Sequence, residues 1–121
     1  MDWKEFQKMA TVKMSEFFGT NLTEKNPKGF PKRFDMVSSD GSIVGDAKFL
    51  TLVGGTKTPP AKFMEIAGHV WLLERTSAKK CFLVFGNQKE VAVSWLSKYG
   101  ELVKKVEFYF IDLEGNIEKL N

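Results

Sequence analysis

The segment KKCFLVFGN, residues 79–87, restricts this chain more than any other stretch. Its apolar run shows no polar-apolar alternation, so as a strand it needs cover on both faces. Helical patterns flank it, at about residues 59–76 and in QKEVAVSWLSKYG. A strand buried on both sides and set between helices calls for an α/β sandwich around a central mixed sheet.

The remaining segments fit that frame. Trp3, Phe6, Ala10, Met14 and Phe17 recur at helical spacing and predict a helix over residues 2–18, ended by Gly19, with Glu16 on the flank of its apolar face. Residues 20–31, with Asn21, Asn26, Pro27, Gly29 and Pro31, read as a loop holding at most a short edge strand. KRFDMVS and SIVGDAKFL are strand candidates joined at Ser39-Asp40-Gly41. After VGGTKTPPAK, Thr58 is a good N-cap for a helix that buries Phe63, Ile66, Ala67, Val70 and Leu73. KKVEFYFIDLEG is a further strand, and NIEKLN turns back after Glu114-Gly115. The predicted order is α, β, β, α, β, α, β.

A chain of 121 residues suffices for one domain, 1–121, with one real core. No stretch approaches the roughly 18–20 apolar residues of a membrane span. The N-terminus, MDWKEFQKMA, carries charges where a signal peptide has its apolar segment, so a cytoplasmic protein is expected. One Cys and one His exclude the usual zinc clusters, and Cys81 reads as a buried, inert thiol. Any metal would be held mainly by carboxylates, which favours Mg²⁺ or Mn²⁺. The net charge of +3 only permits a nucleic-acid partner. Its distribution says more, because Lys25, Lys28, Lys32 and Arg33 stand just before Asp35.

Side chains on a strand alternate between faces. Asp46 and Lys48 therefore share one face of their strand. On the preceding strand Phe34 and Met36 point one way, and Asp35 and Val37 the other. With the hairpin closed at Gly41, Asp35 lies across from Asp46. Burying two carboxylates together is costly unless a cation neutralises them. The stretch is either the solvated edge of a hairpin or a divalent-metal site, and the deciding point is whether Asp35 reaches the Asp46 side.

Asp35, ten intervening residues and then Asp46-Ala47-Lys48 on the second strand of a hairpin resembles the PD-(D/E)xK nuclease superfamily. The resemblance covers roughly residues 2–87 and implies a restriction-endonuclease-like αβββαβ core. It departs from the family pattern at Phe34, where the motif has proline, and in the poorly marked first core strand. It implies Mg²⁺-dependent endonuclease action on DNA, with Asp35, Asp46 and the Ala47 carbonyl as metal ligands. Glu16 would add a ligand from the first helix, and Lys48 would orient the attacking water. Lys62, Glu65 and His69 form a stripe where related proteins often carry an auxiliary polar residue. Lys28, Lys32, Arg33, Lys57, Lys62 and His69 would contact the nucleic acid.

Two other readings compete. A non-catalytic module of the same fold would bind nucleic acid or protein, and Trp71, Trp95 and VEFYFI could serve self-association into a homodimer. An α/β protein unrelated to nucleic acid would carry Asp35 and Asp46 on opposite faces.

Overall fold

A capping box starts the first helix of the computed structural model, which describes residues 1–50 and 60–121. The Asp2 carboxylate accepts from the Glu5 N–H at 2.8 Å, and the Glu5 carboxylate accepts from the Asp2 N–H at 3.2 Å. Helix α1 (Trp3–Phe18) then runs until Gly19, whose left-handed backbone closes it. Phe6, Ala10 and Met14 are buried on its inner side. Trp3 and Phe17, expected on the same apolar face, are more than half exposed because they stand at the two ends of the helix.

Strands β1 (Leu22–Lys25), β2 (Phe34–Ser38) and β3 (Ile43–Leu50) form an antiparallel meander. Asp40 secures the turn between β2 and β3, accepting from both the N–H and the hydroxyl of Ser42, while Gly41 supplies the positive φ. Helix α2 (Pro60–Glu74) crosses over to β4 (Lys80–Asn87), and α3 (Lys89–Tyr99) crosses to β5 (Glu107–Ile111). Both crossovers give parallel pairs, and β6 (Ile117–Lys119) closes the sheet antiparallel to β5. The sheet is therefore mixed and six-stranded, in the order β1-β2-β3-β4-β5-β6. Thr58 and Lys57 lie outside the described residues.

The sheet separates two apolar layers. On one face Phe6, Ala10 and Met14 pack on Met36, Phe82, Val84, Tyr109 and Ile111. On the other, Ile66, Val70 and Leu73 from α2, and Val91, Ala92 and Trp95 from α3, pack on Val44, Leu83, Phe85 and Phe108. Strand β4 is buried from Cys81 to Gly86, as its unbroken apolar run requires. Two surfaces expected to serve self-association are interior instead. Trp95 is buried and donates its indole N–H to the Phe63 carbonyl at 3.1 Å, and β5 lies between β4 and β6. Trp71 remains exposed, with the Arg75 guanidinium over its ring. Among the described residues no helix is long and apolar enough to cross a membrane.

Candidate functional site

Strand β2 does not alternate regularly. Thr23 pairs with Val37, but the next registered pair is Lys25 with Phe34. Strand β1 advances two residues there while β2 advances three, so Asp35 and Met36 together face Glu24 across a β-bulge. The extra residue moves Phe34 into the layer beneath α2 and leaves Met36 in the layer beneath α1. The expectation that Phe34 and Met36 share a face is corrected by this bulge. Bulges re-aim side chains, and this one re-aims Asp35.

Beyond the Met36–Gly45 pair, carboxylates replace the backbone ladder between β2 and β3. The Asp35 N–H donates to Asp46 Oδ1 at 2.8 Å, and the Ala47 N–H donates to Asp35 Oδ2 at 2.9 Å. Each aspartate thus binds the backbone of the opposite strand, and the two carboxylates are held close together. The N–H and C=O of one strand residue point to the same side. The Ala47 carbonyl therefore also faces β2, toward the acidic pair. Asp46 is almost fully buried and Asp35 half-buried. Burial, with the Asp46 charge second, pushes the Asp35 carboxyl up to about 6, against the opposing pull of the Ala47 N–H.

Three further side chains close around Asp46. Its Oδ2 lies 3.1 Å from Lys32 Nζ and 3.4 Å from His69 Nε2. The Lys48 amine lies 3.0 Å from the same His69 Nε2 and 3.9 Å from a Glu65 carboxylate oxygen. His69 Nδ1 is 2.9 Å from the Glu65 carbonyl, which can only accept, so Nδ1 carries the proton. The Nε2 lone pair then accepts from Lys48. Burial, helped by the Lys48 and Lys32 charges, lowers the imidazole pKa and keeps the ring neutral. The short His69–Asp46 approach is accordingly not an ion pair. Lys48 is itself lowered, chiefly by burial, against the attraction of Glu65, Asp46 and Asp35.

The sequence-derived candidates thus divide. Asp35, Asp46, Ala47, Lys48, Lys32 and His69 come together. Glu16 is exposed in the last turn of α1 and makes no hydrogen bond or ion pair with them among the described residues. Lys28 is exposed, Arg33 pairs with Glu24 at 3.4 Å, and Lys62 is half-buried on α2. Lys57 lies outside the described residues. Sequence reasoning overlooked the groove of about 730 Å³ between α1 and β1, which is lined by Trp3, Lys4, Gln7 and Lys8 and reaches Asp35. The spacing of Lys4 and Lys8, one helical turn apart, was the available signal.

Among the described residues no three or more His, Cys, Asp or Glu side chains are grouped to hold a metal ion. Two carboxylates and a backbone carbonyl nevertheless suit Mg²⁺, which usually takes one or two carboxylates and keeps several waters. The donor set fits a hard cation. Comparison with family models, with curated proteins and with solved structures returns no match to this chain.

Proposed function

We propose that this chain is a divalent-metal-dependent nuclease of the PD-(D/E)xK type, with a restriction-endonuclease-like core, that hydrolyses phosphodiester bonds in DNA. The observation that carries this reading is the interlocked pair Asp35 and Asp46 beside the half-buried amine of Lys48. Two carboxylates held together at the cost of a raised Asp35 pKa gain most from a bound cation.

In this reading Asp35, Asp46 and the Ala47 carbonyl hold Mg²⁺ or Mn²⁺. The metal, when bound, would lower the pKa of a water and offset charge on the phosphate oxygens. Lys48 orients the attacking water and faces the charge that develops on phosphorus-bound oxygen. His69, through its Nε2 lone pair, fixes where the Lys48 amine sits. Lys28, Arg33 and Lys62, together with Lys4 and Lys8 along the groove, attract the polyanion. Glu16 has no direct role in this arrangement.

A second reading also has its own observation. Both Asp46 oxygens already have partners, as a non-catalytic nucleic-acid-binding module of the same fold would allow. Incubation with linear, branched and single-stranded DNA in Mg²⁺ or Mn²⁺ separates the two. Cleavage that is abolished by EDTA, by Asp46→Asn and by Lys48→Met supports the nuclease. DNA binding that persists in EDTA, with no cleavage of any substrate, supports the binding module.

A further inference from the structure

Lys32 occupies an unusual position for a residue of a basic surface loop. Its Nζ lies 3.1 Å from Asp46 Oδ2, 2.8 Å from the Arg33 carbonyl oxygen and 4.3 Å from the centre of the Phe34 ring. One carboxylate, one carbonyl and one π face therefore surround the amine, and each is a site that attracts a cation. Phe34 is fully buried, so this wall of the amine's pocket is fixed by the core. Lys32 itself precedes β2 and belongs to no ladder, so its side chain can leave without breaking a strand pair.

We propose that Lys32 is a tethered counter-cation for the acidic pair, holding Asp46 in the metal-free protein and giving way when a divalent ion binds. The proposal rests on the metal-dependent reading above and adds a control element to it. A single charge at 3.1 Å balances Asp46 but cannot satisfy Asp35 as well. A divalent ion can serve both carboxylates and so has the advantage over the amine, whereas a monovalent ion in solution brings no more charge than Lys32 already supplies. The displaced amine is then free beside the site, where a substrate phosphate would meet it. By linkage, whatever draws the amine away from Asp46 also tightens metal binding.

The test is Mn²⁺ binding without nucleic acid, followed by calorimetry and by the paramagnetic signal of free Mn²⁺. Wild type is compared with Lys32→Met and with Lys32→Gln, which keeps a hydrogen-bond donor but not the charge. Lys25→Met removes the same charge from the same stretch of chain, but its amine is bonded to the Ser39 carbonyl instead. Both Lys32 variants are expected to bind Mn²⁺ several-fold more tightly than wild type, with Lys25→Met unchanged. In EDTA the Lys32 variants are expected to melt at lower temperature, and Mn²⁺ to raise their melting temperature more than it raises that of wild type. Equal or weaker Mn²⁺ affinity in the Lys32 variants overturns the counter-cation role and leaves the nuclease reading standing. An equal gain in Lys25→Met also overturns it, since the effect would then be one of overall charge. If neither wild type nor variants take up Mn²⁺, the metal-dependent reading fails and the counter-cation role fails with it.

Discussion

Asp35 and Asp46 each hold the backbone of the other's strand: Asp46 Oδ1 accepts from the Asp35 N–H at 2.8 Å, and Asp35 Oδ2 accepts from the Ala47 N–H at 2.9 Å. The carboxylates therefore act as rungs of the sheet where the ordinary ladder stops, and their positions are set by the backbone. Two like charges fixed in this way cannot move apart to relieve their repulsion.

Burial, together with that repulsion, gives the protein a pH dependence of defined sign. The Asp35 carboxyl is raised from 3.8 in the unfolded chain to about 6 in the folded one, by burial first and Asp46 second. Between those values the folded state binds more protons at Asp35, so the contribution of this group to stability is fully present below pH 3.8 and is lost as pH rises through 6. Asp35→Asn keeps an acceptor for the Ala47 N–H and removes this dependence. In EDTA at pH 7 it is expected to stabilise the protein by on the order of 1 kcal/mol, after allowance for solvent screening. Urea unfolding at pH 4 and pH 7 checks this, with the gain confined to the higher pH.

Asp46 allows structure and chemistry to be separated. Asp46→Asn retains an oxygen for the Asp35 N–H, whereas Asp46→Ala leaves that half-buried donor without its partner. The alanine variant is expected to lose about 1–3 kcal/mol relative to the asparagine variant. Both should lack metal-dependent cleavage. Chemical denaturation beside a DNA-cleavage assay distinguishes the two effects.

Gly45 sits in β3 opposite Phe82 of β4, immediately before Asp46. A Cβ at this position would fall 2.3 Å from the Phe82 ring, and the fully buried ring has little room to withdraw. Gly45→Ala is therefore expected to destabilise the fold by about 1–3 kcal/mol through overpacking. Pairing it with Phe82→Leu should recover part of the loss, which a thermal melt of the double variant measures.

Cys81 is fully buried in β4, and burial pushes its thiol up to about 11. A neutral, inaccessible thiol is a poor nucleophile. Labelling by a chromogenic disulfide reagent should be slow in the native protein and immediate in denaturant. Fast labelling of the native protein would contradict the burial of β4.

Periodic segments announced themselves in the sequence, and the elements they predicted are present: α1, the hairpin, α2, β4, α3 and β5 all lie within the segments that predicted them, with α2 ending at Glu74 and β5 confined to Glu107–Ile111. The short edge strand β1 was harder to see, because four residues of mixed polarity carry almost no period. The bulge at Asp35 was invisible for a different reason. An extra residue shows only against the partner strand's register, and one chain read alone contains no register. Trp3 and Phe17 misled because a helical wheel gives a face but not how much of the helix the sheet covers. VEFYFI was apolar enough for either an interface or an interior, and only the strand order decides between them. At the site, Asp46 and Lys48 followed from alternation, and Glu65 with His69 from helical spacing. That His69 Nε2 comes to lie beside both Asp46 and Lys48 depends on how α2 crosses β3, a tertiary fact with no local signature.

The strands succeed one another in space as they do along the chain. Each strand therefore docks beside the one that precedes it in the sequence, and only the two crossovers bridge long gaps. Short closures cost little chain entropy and form early. The hairpin that carries Asp35 and Asp46 is such a closure, while Glu65 and His69 arrive only when α2 settles on the sheet. A hairpin closed ahead of α2 would bring two negative charges side by side, with only the cations of its own stretch nearby. Lys32, three residues ahead of Asp35, belongs to that stretch, and its amine is the one that meets Asp46 in the finished fold.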